Sequence, residues 1–339
     1  MKALVLEKAM EIVLRDVPDP IIDDDRSVLI KVKAVSICGS DVHGMDGSTG
    51  RRIPPIIMGH EAAGIIEKTG KGVKAYKVGD RVTFDSTIYC GECFYCRRGE
   101  FNLCDNRRVL GVSCDEYRCN GAFAEYVVVP ERILYRLPDN LDFVSAAMTE
   151  PLAVAAHGAR LGKPDLGESI VVVGAGLIGL LLIQTLRANC SGPIIAVDMD
   201  AGRLQTARGF GADHIVLAGP DAAAEVKKIT GGRGVDLAFE AVGATAPIAT
   251  ALNSLRKGGR LVLIGNLSSK IELPLQTVVT RQISITGSCA IESEYPLALD
   301  LMASGKANVK ALTSAVVPLA DGPSWMKRLY NKEPGLLKV

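Results

Sequence analysis

The chain has 339 residues, 48% hydrophobic and 23% charged, with 39 basic against 38 acidic side chains. That length predicts two domains, each large enough for its own core. A formal net charge of +1 argues against a nucleic-acid or membrane-surface partner.

From the start, Lys2–Leu6 is too short and too strand-like for a signal peptide, so a soluble, cytoplasmic protein is expected. Residues 1–152 read as short strands between turn signals. Val28–Val35 puts Lys31 and Lys33 on one face and Ile30, Val32 and Ala34 on the other, the alternation of a half-buried strand. Similar runs at Gly64–Lys68, Arg81–Phe84 and Ala124–Val129 predict an irregular antiparallel β domain. Cys90, Cys93, Cys96 and Cys104 interrupt it as a C-x2-C-x2-C-x7-C cluster within a loop at 88–119. Closely spaced thiols in a reducing compartment point to a metal rather than to disulfides. An iron–sulfur cluster is the competitor, but its bacterial run needs a fourth cysteine after three residues and then proline. Here Asp105 follows Cys104, and a closed four-thiolate zinc site fits better.

After Gly162 the pattern changes. Strands are expected at Ser169–Val173, Ile194–Val197, Ile215–Val216, Leu237–Ala241, Arg260–Gly265 and Ile283–Gly287. Helices are expected to Ala188 and at 201–210, 221–230 and 245–256. Strands without alternation, separated by helices, predict an α/β fold with a parallel sheet buried on both faces over 153–287. Its longest apolar stretch, Ile170–Ile183, has 14 residues, short of the about 18 a membrane span needs. A further helix at 296–304 and a strand-like Gly335–Val339 should return to the first domain, giving it 288–339.

Gly174-Ala-Gly176-Leu177-Ile178-Gly179 lies between a strand and a helix, the context a dinucleotide turn requires. Its glycines allow the tight turn, the approach of a pyrophosphate and close helix–strand packing. Asp198 ends the next strand, where a carboxylate accepts both ribose hydroxyls, and no arginine adjoins it to take a 2′-phosphate. NAD is therefore expected rather than NADP. Arg203 could flank the adenine end or face solvent.

A nicotinamide site beside a zinc loop directs attention to a second, open metal site. Candidates are Cys38 in Cys38-Gly-Ser-Asp, His60 and Glu61 in Gly59-His-Glu, and Glu150 before Pro151. Taken singly, these could be a packing thiol, a solvated turn and a helix cap. Together with Gly79-Asp-Arg-Val, the four-cysteine loop and the glycine turn, they make nearly the whole chain resemble a zinc-dependent medium-chain dehydrogenase/reductase. The resemblance is greatest to the branch of sorbitol, threonine and sugar-alcohol-phosphate dehydrogenases. It implies a GroES-like catalytic domain (1–152 and 288–339), a doubly wound Rossmann domain (153–287) and a dimer or tetramer. It also implies two zinc ions, one held by Cys38, His60, Glu61 and Glu150 and one structural, held by Cys90, Cys93, Cys96 and Cys104. Ser40 and His43 match the proton relay of such enzymes.

The activity so implied is hydride transfer from a secondary alcohol of a polyol or polyol phosphate to NAD. Oxidation of threonine or of a vicinal diol is the alternative, and a nucleotide-binding protein without catalysis is the remote one. Arg51 and Arg52 could grip a phosphate or simply be solvated. Ser288-Cys289-Ala290 stands where sorbitol dehydrogenases carry an arginine, which weakens free sorbitol as the substrate. His157 and His214 read as packed residues rather than ligands.

Overall fold

The structure, a computed structural model, describes residues 1–190 and 192–339. The chain forms two compact units: residues 1–150 with 291–303 and 309–339, and residues 151–290 with 304–308. Compared with the expected division, Pro151, Leu152 and residues 288–290 and 304–308 lie in the second unit. Hydrogen bonds explain part of this. Ser288 N–H donates to the Leu263 carbonyl at 2.9 Å, and Asn308 N–H donates to Gln184 Oε1 at 2.6 Å.

The first unit is built on an antiparallel five-stranded sheet. Its order is Tyr126–Pro130, Ser27–Ser36, Glu61–Thr69, Arg81–Phe84 and Leu134–Arg136. Lys31 and Lys33 are exposed on Ser27–Ser36, while Val28 and Ile30 are fully buried. They pack with Ile66, Val82, Phe84, Val127 and Val129, each large side chain contributing about 1.5–3 kcal/mol by leaving water. Irregularities in the pairing of Ser27–Ser36 with Glu61–Thr69 set the register so that Ser36 faces Glu61 at the sheet's end. A smaller sheet pairs Lys2–Lys8 with Glu11–Asp16 and Ile56–Ile57.

The segment 310–339 behaves differently from the expectation. Helix Gly322–Tyr330, which has no strong apolar run, seats Met326 among Leu4, Leu6, Met45 and Ile56. Residues 335–339 form no strand. Instead the Val339 carbonyl accepts the Ile37 N–H at 2.8 Å. In the cysteine loop, Thr87–Ile88 pairs with Arg108–Val109 and Val112–Ser113 with Arg118–Cys119.

The second unit is a six-stranded parallel sheet. Its order is His214–Leu217, Ile194–Asp198, Ile170–Val173, Val235–Glu240, Leu255–Leu263 and Ser284–Gly287. Strand order therefore reverses beside the first strand, at the crevice where doubly wound sheets bind ligands. Ile170–Val173 is buried along its whole length, which is why it lacks alternation. Val171, Val173, Ile195, Val197, Ile248, Leu252 and Leu261 form the core. Among the described residues, no helix is long and apolar enough to cross a membrane.

Candidate metal and dinucleotide sites

Among the described residues, two groups of side chains could hold a metal ion. In the first, ligand atoms of Cys90, Cys93, Cys96 and Cys104 all lie within 4.8 Å of one another. Cys93 caps the short helix Phe94–Arg97, accepting the Cys96 N–H at 3.5 Å, and Cys104 accepts the Cys90 N–H at 3.3 Å. The Cys90 sulfur stands 3.6 Å from that of Cys104 and 4.0 Å from that of Cys96. Four sulfurs at 2.3 Å from one zinc would be separated by about 3.8 Å, so the cage fits a closed tetrahedral ion. Backbone N–H groups of Glu92 and Cys93 draw the Cys90 thiol down to about 6, while burial pushes Cys96 up to about 12. A cation would favour the thiolate at all four.

The second group is Cys38, His60 and Glu61, again within 4.8 Å of one another. Cys38 leaves strand Ser27–Ser36 and caps helix Gly39–Gly44, its sulfur accepting the Ser40 N–H at 3.4 Å. His60 immediately precedes strand Glu61–Thr69, and both His60 and Glu61 are buried. His60 Nδ1 makes no hydrogen bond and faces Asp41 Oδ1 at 3.5 Å. Burial opposes a charge on His60, but the Asp41 carboxylate and Cys38 outweigh it and hold the imidazole well above its ordinary value. Sulfur, nitrogen and carboxylate donors gathered in this way, with Cys38 half-buried and the other two buried, suit zinc with an open position.

Two neighbours of this group escaped sequence reasoning. Lys338, buried, donates from Nζ to Glu61 Oε2 and to the Ile37 carbonyl at 2.8 Å. Ser36 Oγ donates to the same Glu61 oxygen, leaving Glu61 Oε1 for a cation. Burial works against the Lys338 ammonium, yet Glu61 keeps its pKa raised. A lysine in an apolar run carried no signal of this pairing. Asp41 was visible only as the last residue of the Cys38 motif. It is fully buried and takes Arg52 Nη2 at 3.0 Å and the Cys38 N–H at 3.3 Å. Its burial would raise the carboxyl, but His60 and Arg52 hold it well below the usual range.

Glu150 lies outside the group of three. It sits in the first turn of helix Thr149–Gly162, buried, with Ser86 Oγ donating to Oε1 at 3.5 Å. Burial first, then Glu61 and Asp85, push its carboxyl up to about 8, against the pull of His60. Ser40 and His43 are exposed on helix Gly39–Gly44. Arg51 is exposed, but Arg52 is only 4% exposed and ion-paired with Asp41. The adjacent arginines therefore form no phosphate clamp, because one is already committed inside the protein. His157 is buried, whereas His214, expected to be packed, is exposed where its strand begins.

In the second unit, the glycine turn joins Ile170–Val173 to helix Leu177–Asn189, with Gly176 at the cap. Gly174 has φ of 100°, a conformation costly for other residues. A Cβ on Gly179 would stand 1.8 Å from the Gly174 carbonyl oxygen. Leu177 and Ile178 occupy the helix's first turn and are half-buried. Asp198 is half-buried at its strand end, Oδ2 accepting the Ala175 N–H at 2.6 Å and Oδ1 the Asp200 N–H at 2.9 Å. Arg203 lies 3.8 Å from Asp200 one turn along the same helix.

A parallel sheet with this turn, a four-sulfur cage and a clustered sulfur–nitrogen–carboxylate group define a zinc-binding dehydrogenase that works on alcohols. Residues 24–139 match the alcohol dehydrogenase GroES-like domain, and residues 178–304 match the zinc-binding dehydrogenase domain. Sorbitol dehydrogenase of Bacillus subtilis (strain 168) is 36% identical, covering 100% of this chain and 96% of its own length. D-xylulose reductase A of Aspergillus oryzae is 37% identical over 94% of this chain and 90% of its own. A solved zinc-binding dehydrogenase from Sinorhizobium meliloti 1021, bound to NADP, is 31% identical. It superposes with a TM-score of 0.88 over 100% of this chain and 98% of that one. The chain belongs to the zinc-dependent medium-chain dehydrogenase/reductase family, in its polyol dehydrogenase branch.

Proposed function

We propose that the protein oxidises a secondary alcohol of an unphosphorylated polyol to a ketose-type product, with NAD as the hydride acceptor. The observation that carries this reading is the convergence of half-buried Cys38 with buried His60 and Glu61, within 4.8 Å of one another. In it, Cys38, His60 and Glu61 hold a catalytic zinc, Glu150 is a further ligand that can exchange with Glu61, and the four cysteines hold a structural zinc. Zinc, when bound, supplies Lewis acidity that lowers the pKa of an alcohol. Glu61 is restrained by Lys338 and Ser36 through one oxygen, so its other oxygen can approach or leave a cation without the side chain being released. Ser40 takes the hydroxyl proton and His43 passes it to solvent, which their exposure on one short helix permits.

Gly174, Gly176, Leu177, Ile178 and Gly179 cradle the dinucleotide pyrophosphate, and Asp198 accepts its ribose hydroxyls, with Arg203 beside the adenine. A carboxylate at Asp198 repels the 2′-phosphate of NADP, which supports NAD. The relatives' names, sorbitol dehydrogenase and D-xylulose reductase, support a polyol. Loss of Arg52 to an internal pair removes the chief support for a phosphorylated one. The same reading carries the family's dimer or tetramer and a cytoplasmic setting.

The test follows NADH formation by the purified protein with sorbitol, xylitol, their phosphates, threonine and 2,3-butanediol, each with NAD and NADP. Turnover of a free polyol with NAD and at most a trace with NADP is expected. No turnover of any alcohol by protein holding two zinc ions per chain would overturn the proposal, and a preference for threonine or butanediol would replace its substrate.

A further inference from the structure

We propose that Arg52 is a positioning residue for the metal site, holding Asp41 where it can orient both His60 and Cys38. The inference rests on the reading of Cys38, His60 and Glu61 as metal ligands.

Arg52 belongs to a loop bridged to Ser113, two residues before Pro54. Long arginine stems usually leave their heads in water, but this residue is only 4% exposed. Its stem crosses Gly44 so closely that a Cβ there would stand 2.6 Å from Arg52 Cγ. The guanidinium makes three contacts: Nη1 to the Arg51 carbonyl at 3.0 Å, and Nη2 to Asp41 Oδ1 at 3.0 Å and Ser40 Oγ at 3.4 Å. A rigid fork fixes its acceptors in direction as well as distance, which a lysine cannot do.

The oxygen it fixes is the one that matters. Asp41 Oδ1 faces His60 Nδ1 at 3.5 Å, and Asp41 Oδ2 accepts the Cys38 N–H at 3.3 Å. An acceptor held beside Nδ1 favours the tautomer with its proton there, leaving Nε2 to ligate. Groups one step behind metal ligands typically change metal affinity 10–100-fold when lost. Arg52 stands one step further out, and among the described residues its guanidinium is the one arginine or lysine group paired with Asp41. Removing Arg52 frees Asp41 to turn, and the imidazole and the Cys38 turn lose their common anchor.

The experiment compares wild type with Arg52→Met, Arg52→Gln and Arg52→Lys as intact proteins. Zinc affinity is read by competition with a chelating dye, and the absorption of the cobalt-substituted protein reports ligand geometry. For Arg52→Met, zinc affinity at one of two sites should fall roughly tenfold, with an altered cobalt spectrum and the other ion retained. Its kcat should fall while KM stays within about twofold, since no substrate contact is removed. Arg52→Lys, a cation without the fork, should recover only part of the zinc affinity, and Arg52→Gln should recover none. Arg52→Gln also stands in if the methionine variant fails to fold. Variants that bind two ions as tightly as wild type, with an unchanged cobalt spectrum, overturn the role of Arg52. A wild type that takes up only the four-cysteine ion overturns the metal-site reading beneath it.

Discussion

At the scale of single residues, this protein concentrates charge where it is costly. Asp41, Arg52, Glu61, Glu150 and Lys338 are all buried in the first unit, and isolated charges there would be prohibitive. The two cations answer two of the carboxylates directly, Arg52 with Asp41 and Lys338 with Glu61. Among the described residues Asp85 has no such ion pair, only a minor pull from Arg107. It is 6% exposed, its Oδ1 accepting the Thr87 N–H at 2.7 Å. Burial pushes its carboxyl from 3.8 up to about 7, with the Thr87 N–H opposing and Glu294 adding. A carboxyl raised on folding stabilises the native state fully below its unfolded pKa, and that contribution disappears as pH rises through the folded value. Asp85 should therefore cost the protein stability between pH 3.8 and about 7, by roughly 4 kcal/mol at the three-unit limit. Asp85→Asn keeps the acceptor for Thr87 and should flatten that slope. Urea denaturation of both proteins across this range measures it, and parallel curves would exclude the assignment.

At the scale of elements, the glycine turn is the clearest case of sequence dictating geometry. Gly179 → Ala would place its new carbon against the Gly174 carbonyl, at 1.8 Å before relaxation. Backbone cannot yield as a side chain does, and overpacking of this kind costs about 1–3 kcal/mol. The turn must open, and NADH should bind roughly tenfold to a hundredfold more weakly, as fluorescence titration would show. An unchanged Kd would mean that the turn does not seat the dinucleotide. This site was legible because its information is local: a buried strand, three glycines and an acidic strand end within 25 consecutive residues, Gly174 to Asp198. The four cysteines were legible for the same reason. Helix Gly322–Tyr330 was not, because Met326 is its one large buried side chain and the helix is polar on average. The short helix Leu275–Thr280 buries none of its residues and gives no pattern at all. Arg52 and Lys338 were misread or missed because pairing depends on partners that only the fold supplies. Arg52 meets Asp41 across 11 positions, and Lys338 meets Glu61 across 277. No composition rule separates such residues from ordinary surface cations.

For the whole molecule, the division into units matters more than the count of elements. The second unit is nearly continuous, whereas the first needs residues 1–150 together with 291–303 and 309–339. Long-range closure of that kind is slow relative to local folding. Within the first unit, the two metal groups differ in the same way. The sulfur cage uses 15 successive residues, Cys90 to Cys104, while Glu61 awaits the ammonium of Lys338. The difference has a consequence for birth on the ribosome, where a chain emerges from its start and each part folds with what is already outside. The cage can capture its ion while most of the protein is still unmade, whereas the Cys38 group has its full set of charged neighbours only once residue 338 is in place. Nascent chains stalled before residue 338 should carry one tightly held zinc ion, and released full-length chains two. Two ions on the stalled chain would show that the Cys38 group takes up a metal before its buried counter-charge arrives.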